Sequence, residues 1–330
     1  LQSELAEMDE CMPHYYKTTS NHGQGAETIM RAEALFCQGC FTDAYIELER
    51  AYARIKDNGQ INIELCCDFL SRRLSLHTDV EERYTFAERY AALLRYHDAS
   101  WINIWSATAA YYHALRGETD RIPEIFSQHR LSDVNILAPG KPMTEMIENQ
   151  VYLAQGAYAK VAGHGAELLA VCEAMHYALA ALHIRVQTAA AYDKLGKAED
   201  ARAWLTKALS DAEPDGLVIP FVENYDFLKP LLVREMKNEL TAKIIELGEA
   251  ANRRKAASVR PAVFDALTWR EFEIVELMAQ RLSNREIAEN LYLSEGSVKQ
   301  YVNQIYSKLH IEGDTRTKRK RLVELLIQKN

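Results

Sequence analysis

Glycines 39, 117, 156 and 196 lie 78, 39 and 40 residues apart, in a chain that spends only 14 glycines and 8 prolines over 330 residues. The intervals are two periods of about 40 and then one each. The fifth residue after each glycine is apolar: Ala44, Ile122, Val161 and Ala201. The clearest copy reads Ala189-Ala-Ala-Tyr-Asp-Lys-Leu-Gly196-Lys-Ala-Glu-Asp-Ala201. Glycine tolerates the left-handed backbone that closes a helix, so one helix ends there and the next begins at once. This spacing predicts stacked helical hairpins of the tetratricopeptide kind, with helices longer than the usual period of about 34 residues allows. The copy expected near residue 78 is degenerate, and residues 1–23 are too irregular to place.

The rest of the chain agrees with an all-α fold. Strand-type alternation is absent, and Ala-rich stretches with a 3.6-residue apolar period dominate, as in Ala178–Leu195 and Ala198–Leu209. Pro214, Gly216, Pro220 and Pro230 mark an irregular end to the array, followed by a final helix over 231–247. Residues 248–263 include Asn252-Arg-Arg-Lys-Ala-Ala-Ser-Val-Arg-Pro261 and no apolar stripe, which predicts a flexible basic linker. The organisation expected is therefore a repeat domain over 1–247, a linker over 248–263 and a small four-helix domain over 264–330.

Charge follows the same division. Residues 253–330 hold 15 basic and 10 acidic residues (+5), leaving 39−15=24 basic and 47−10=37 acidic residues (−13) in 1–252, within a net charge of −8. A long acidic part joined to a short basic one suits a sensor attached to a nucleic-acid binder. No apolar run reaches the roughly 18–20 residues of a membrane helix, so no membrane partner is expected. No signal peptide is expected from the acid-rich start, and six irregularly spaced cysteines fit a reducing cytoplasm. The first residue is Leu, which points to a piece of a longer protein.

The C-terminal segment carries the function. It begins Leu267-Thr-Trp-Arg-Glu, continues Leu282-Ser-Asn-Arg-Glu-Ile-Ala288 and Leu293-Ser-Glu-Gly-Ser-Val-Lys299, and reaches Ile305-Tyr-Ser-Lys-Leu309. Thr268-x-x-Glu271 and Ser283-x-x-Glu286 are capping boxes that start two helices, and Ser294 caps a third. The first helix buries Phe272, Val275, Met278, Ala279 and Leu282, and the second buries Ile287, Ala288 and Leu291. The third carries Val298, Val302, Ile305 and Leu309 on one stripe, which leaves Ser297, Lys299, Gln300, Asn303 and Ser307 facing away from the core. Two short helices and a tight turn, the second helix with a polar outer face, is how a recognition helix enters the major groove of DNA.

Over about 60 residues this segment resembles the LuxR-type helix-turn-helix. Tyr301 stands where that family usually has His, and Gln304 where it often has Asn, so no target sequence carries over. The resemblance implies that Lys299, Gln300 and Asn303 face bases, where Lys can serve guanine and Gln or Asn can pair with adenine. Asn284, Arg285, Ser297 and Tyr301 would hold the phosphate backbone. The run Arg316-Thr-Lys-Arg-Lys-Arg321 precedes a fourth helix that is a dimer contact in such domains, and Lys318 and Arg319 within it are expected to grip phosphates. The partners implied are double-stranded promoter DNA, a second copy of the chain on that DNA, and RNA polymerase.

Helical arrays before such a domain are similar to the large MalT-like activators, in which an ATPase domain comes first, then repeats that bind an inducer. No Gly-x-x-x-x-Gly-Lys-Ser/Thr loop occurs in this chain, so no nucleotide or other cofactor is expected here, although an ATPase domain would precede Leu1 in such a protein. Trp101, Trp105, Thr108 and Tyr112 share a helical spacing and are candidates to stack on an effector, a small molecule or a protein. Packing inside the repeat core explains the same spacing. Cys37-Gln-Gly-Cys40 supplies only half a zinc site, so no metal is expected, and no nucleophile–base pattern marks an enzyme. The expected function is a ligand- or partner-controlled transcriptional regulator. The alternative is a repeat scaffold that binds another protein, with DNA binding secondary.

Overall fold

The computed structural model describes residues 2–20, 23–56, 60–80, 83–134, 140–235, 238–257, 262–264, 266–291 and 293–327. Among them every regular element is helical. The chain forms two compact units, Leu1–Arg83 with Ala99–Ala256, and Tyr84–Asp98 with Ala257–Asn330.

The first unit contains α1 (Gln2–Thr18), α2 (Ala26–Cys37), α3 (Phe41–Lys56) and α4 (Ile61–Ser75). After α5 (Phe86–Leu94), which belongs to the second unit, it continues with α6 (Ala99–Arg116), the single turn α7 (Glu124–Ser127), α8 (Lys141–Ala154), α9 (Tyr158–Ala174), α10 (Ala178–Lys194) and α11 (Ala198–Ala212). It ends with α12 (Ile219–Val222), α13 (Tyr225–Glu235) and α14 (Glu239–Ala257). Consecutive helices pack together, α2 with α3, α8 with α9, α10 with α11, and alternate helices also touch: α2 with α4, α4 with α6, α6 with α8, α8 with α10. Each hairpin thus buries one helix in an inner row and lays the other outside it, the packing of a hairpin stack.

The turns explain the glycine spacing. Gly39, Gly117, Gly156 and Gly196 all have φ of 74–76°. In each case the next amide donates to the carbonyl five residues back, as in Lys197 N to Tyr192 O (3.0 Å) and Ala157 N to Tyr152 O (2.8 Å). The end of α9 makes the same turn with His176 at φ 58°, and Tyr177 N donates to Cys172 O at 2.8 Å. A glycine search passes over that turn, because histidine is one of the few side-chain-bearing residues enriched in this conformation.

Helix α10 is central. Every residue from Ala180 to Ala191 is buried, because α8, α9, α11, α12 and α13 all pack around it. Such a helix has no exposed face along that stretch, and its run of alanines lets five neighbours approach.

Helix α14 corrects the linker reading. It runs through residues 248–257, so those ten residues are helical, and 258–261 lie outside the described residues. Gly248 is the first residue of that expected linker. A Cβ there would lie 2.3 Å from Cγ of Tyr225, so the glycine makes room for a ring between α13 and α14. Gly248→Ala is expected to destabilise the first unit by about 1–3 kcal/mol through overpacking, despite the better helix propensity of alanine. Thermal unfolding followed by circular dichroism checks it, and an unchanged midpoint would mean that the ring moves aside freely.

Candidate nucleic-acid interface

The second unit contains α5, α15 (Trp269–Ala279), α16 (Asn284–Leu291), α17 (Glu295–Lys308) and α18 (Thr315–Ile327). Its core is Phe264, Leu267, Phe272, Ile274, Val275, Met278, Ile287, Ala288, Leu291, Val298, Val302, Ile305, Tyr306, Ile311 and Leu322. Of the residues expected inside, Ala279, Leu282 and Leu309 are half-buried, and Ile274 and Tyr306 are buried without having been anticipated.

The helix starts follow the local sequence. The Thr268 hydroxyl accepts from Glu271 N (3.2 Å), and Thr268 N donates to Glu271 Oε2 (2.7 Å). Ser283 N donates to Glu286 Oε2 (2.7 Å), and Ser294 Oγ accepts from Ser297 N (3.0 Å). Each box satisfies amides that a helix start otherwise leaves without partners.

The same motif residues also tie the helices to one another. Arg270 Nη2 donates to Leu291 O at 2.8 Å, joining the start of α15 to the end of α16. Lys308 Nζ pairs with Glu271 Oε2 at 2.7 Å, joining the start of α15 to the end of α17. Glu271 is 2% exposed. Burial pushes its pKa up, but the bonds from Lys308 and Thr268 outweigh burial and hold the carboxyl below 4.5. Glu271→Ala removes both the cap and the ion pair at a buried place, and should cost the C-terminal unit about 2–4 kcal/mol. Chemical denaturation checks this. Because the folded carboxyl titrates below its unfolded value, the contribution of Glu271 is intact above about pH 4.5 and is lost as pH falls through the lower folded value. Glu271→Ala should therefore flatten the acid limb of the stability curve.

With the scaffold fixed this way, the outer face of α17 is free. Lys299, Gln300, Asn303, Gln304 and Ser307 are exposed along it, opposite buried Val298, Val302 and Ile305. Lys299 Nζ makes a solvent-exposed pair with Glu295 at 2.8 Å. An exposed pair one helical turn apart contributes only about 0.3–0.5 kcal/mol, so the ammonium is readily given up to another anion. Ser297 is half-buried, with its hydroxyl 2.8 Å from that of Ser294. Tyr301 is half-buried against the core. Asn284 and Arg285 begin α16, where Arg285 is exposed and pairs with Glu289 at 3.0 Å.

The basic run divides into two sets. Arg316, Lys320 and Arg321 are exposed, whereas Lys318 and Arg319 are half-buried. Lys318 Nζ stands 5.6 Å above the Tyr306 ring. Arg319 Nη2 donates to the carbonyls of Leu282 and Met278, capping the end of α15. Those two residues, expected to grip phosphates, are engaged in tying α18 to the core.

In the first unit, Trp101, Trp105 and Tyr112 on α6 are half-buried. Thr108 is buried, and its hydroxyl returns to Ile104 O of its own helix at 3.2 Å. The guanidinium groups of Arg72 (5.9 Å) and Arg116 (5.6 Å) both lie over the Tyr112 ring. Cys37 is buried and Cys40 half-buried, and no cluster of metal-ligating side chains occurs among the described residues. No helix among the described residues is long and apolar enough to cross a membrane.

Residues 265–319 match the family model GerE, described as bacterial regulatory proteins, luxR family. The transcriptional regulatory protein LnrK of Bacillus subtilis (strain 168) is 33% identical over 111 residues, covering 34% of this chain and 44% of LnrK. The transcriptional regulatory protein DegU of Brevibacillus brevis is 45% identical over 49 residues, covering 15% of this chain and 21% of DegU. The chain thus spans less than half the length of these relatives. No solved structure matches it.

Proposed function

From a chain that carries a helix-turn-helix of the GerE/luxR family, we propose a DNA-binding transcriptional regulator whose α17 reads promoter DNA in the major groove. The observation that carries this reading is the outer face of α17. Lys299, Gln300 and Asn303 stand there together, exposed and unneeded by the core, on a helix whose other face is fully packed. These are the side chains that pair with guanine and adenine edges. Asn284, Arg285, Ser297 and Tyr301 flank that face and would hold phosphates, together with Arg316, Lys320 and Arg321 in place of the inward-turned Lys318 and Arg319. The chain would act as a homodimer on DNA and contact RNA polymerase there. The array would sense an effector, a role supported by the half-buried Trp101, Trp105 and Tyr112 on one helix with the buried Thr108, and by the two arginine guanidiniums over the Tyr112 ring.

Selection of genomic fragments by the full chain tests the reading. Enrichment of a short, roughly two-fold symmetric site supports a dimeric reader, and failure to enrich any sequence overturns it. Two sets of substitutions separate base reading from phosphate binding. Asn303→Ala should weaken the selected site by about 1–3 kcal/mol and relax preference at particular bases. Neutralising Arg316, Lys320 and Arg321 should weaken every sequence alike and reduce the salt slope by up to about 3. Equal weakening of all sequences by Asn303→Ala would remove that residue from base reading.

A further inference from the structure

The turn between α15 and α16 repeats the helix ending of the array with a different residue in the critical place. Leu282 N donates to Leu277 O, five residues back, at 3.3 Å, and Arg281 before it has φ of 66°. In the array that place is held by Gly39, Gly117, Gly156 and Gly196. Left-handed backbone brings the Cβ of any other residue against a carbonyl oxygen. Five further described residues with side chains adopt it. Four are histidines, at 97, 129, 176 and 310, a type enriched in this region, and the fifth is Ser20. Among the described residues, Arg281 alone puts a long cationic side chain there.

The packing of the unit does not require that side chain. Arg281 is exposed, and among the described residues no carboxylate pairs with it. Arg285 and Lys299 differ, since each leans on a glutamate of its own helix. The turn is fixed from outside. Arg319 Nη2 donates to Met278 O and Leu282 O, which flank Arg281 in the chain. This brings the start of α18, with exposed Arg316 one helical turn before Arg319, against the turn that carries Arg281. Strain that packing does not demand is characteristic of residues kept for binding.

Chain connectivity limits where Arg281 can be. It lies three residues before Asn284, so the two Cα atoms are at most about 11 Å apart. Asn284 begins α16, the helix that crosses the phosphate backbone when a helix-turn-helix docks. A long side chain at 281 therefore reaches the strand that Asn284 and Arg285 would hold.

We propose that Arg281 is a phosphate contact of the DNA reader, on the strand held by the start of α16. The assignment rests on the DNA-reading function proposed above and adds a residue to it. Its partner is the sugar–phosphate backbone, so it raises affinity without favouring any sequence. The contact also accounts for a cation, rather than glycine, at the end of α15.

The test uses the full chain and a mixed-sequence duplex of about 30 base pairs, titrated between about 50 and 200 mM salt. Arg281→Gln keeps the strained backbone and removes the charge. It should weaken binding by about 3- to 10-fold at the lower salt, reduce the salt slope by about 0.9 and leave sequence preference as it was. Arg281→Lys should keep the slope. Arg281→Gly should bind as weakly as Arg281→Gln while its thermal midpoint rises by a few degrees, because glycine adopts this φ without strain. A residue with a purely structural role would not join higher stability to weaker binding. Unchanged affinity and slope in Arg281→Gln overturn the contact, and a midpoint lowered by Arg281→Gly overturns the strain that motivates it. If the wild-type chain holds the duplex and Asn303→Ala alters sequence preference while Arg281→Gln changes nothing, the phosphate contact alone fails. If no form of the chain holds the duplex, the DNA-reading proposal falls and the contact with it.

Discussion

Replacing Glu223 by alanine is expected to destabilise the first unit by about 3–5 kcal/mol, the cost of stranding a buried charge. Glu223 follows α12, and its carboxylate takes Arg73 Nε at 2.7 Å and Nη2 at 3.2 Å from α4, and the Tyr111 hydroxyl at 2.8 Å from α6. Arg73 also pairs with Glu33 of α2, and its guanidinium lies 4.7 Å from the Phe36 ring centre and 5.2 Å from that of Phe69. The side chains of Arg73 and Glu223 are 3% and 1% exposed. Burial works against the arginine charge, but Glu223 and Glu33 hold its pKa well above the ordinary value, so it cannot lose its proton to escape. Without Glu223, Glu33 remains as its carboxylate partner, and it lies nearer the surface. Urea denaturation of Glu223→Ala gives the magnitude. The double variant Arg73→Met with Glu223→Leu should be close to neutral, because it removes both charges and keeps the volume. A loss under about 1 kcal/mol for Glu223→Ala would mean that water reaches the pair.

The second large effect is acid sensitivity well above the carboxylate range. His183 is 1% exposed, and burial, followed by the nearby Arg73 charge, holds its pKa well below 6.5. His77 is pushed down to about 3, by burial first and then by Arg73 and Arg254. Its ring stacks on Phe41 at 5.0 Å. Well above pH 6.5 neither histidine is protonated in either state, and they contribute no pH dependence. Below it the unfolded chain takes up protons that the folded chain refuses, so stability falls by about 1.4 kcal/mol per pH unit for each. Between pH 6.5 and 5 the two together should cost about 3 kcal/mol. Urea midpoints measured across that window check this, and His183→Gln should reduce the slope by about half. A flat profile would mean that both rings titrate as they do in water.

The parts of this chain legible in its sequence are those fixed by neighbours in sequence. The capping boxes at Thr268 and Ser283, the cap at Ser294 and the stripe Val298, Val302, Ile305 are local and were readable residue by residue. So was the glycine turn, because left-handed backbone selects glycine without reference to anything distant. What escaped is what distant residues impose. Arg73 and Glu223 are 150 positions apart, and neither belongs to any periodic pattern. Gly248 opens what reads as a linker, until Tyr225 is seen to need its space. Arg319 looks like one more phosphate contact, yet its guanidinium caps α15. Helix α5 left a trace, a missing turn near residue 78, but the sequence showed only that something had changed there.

The division of labour within α15–α18 bears on how such a protein changes over generations. Thr268, Arg270, Glu271, Lys308 and Arg319 support the scaffold, whereas Gln300, Asn303 and Gln304 support nothing. Substitutions at those three positions leave the packing of the helices untouched, so after a gene duplication two copies can drift apart on the face proposed to read DNA without either passing through an unstable intermediate. The reverse holds for the framework. A copy that loses its Glu271 or Arg319 gives up stability, so lineages of this domain should keep the same skeleton while the outer face of α17 diverges.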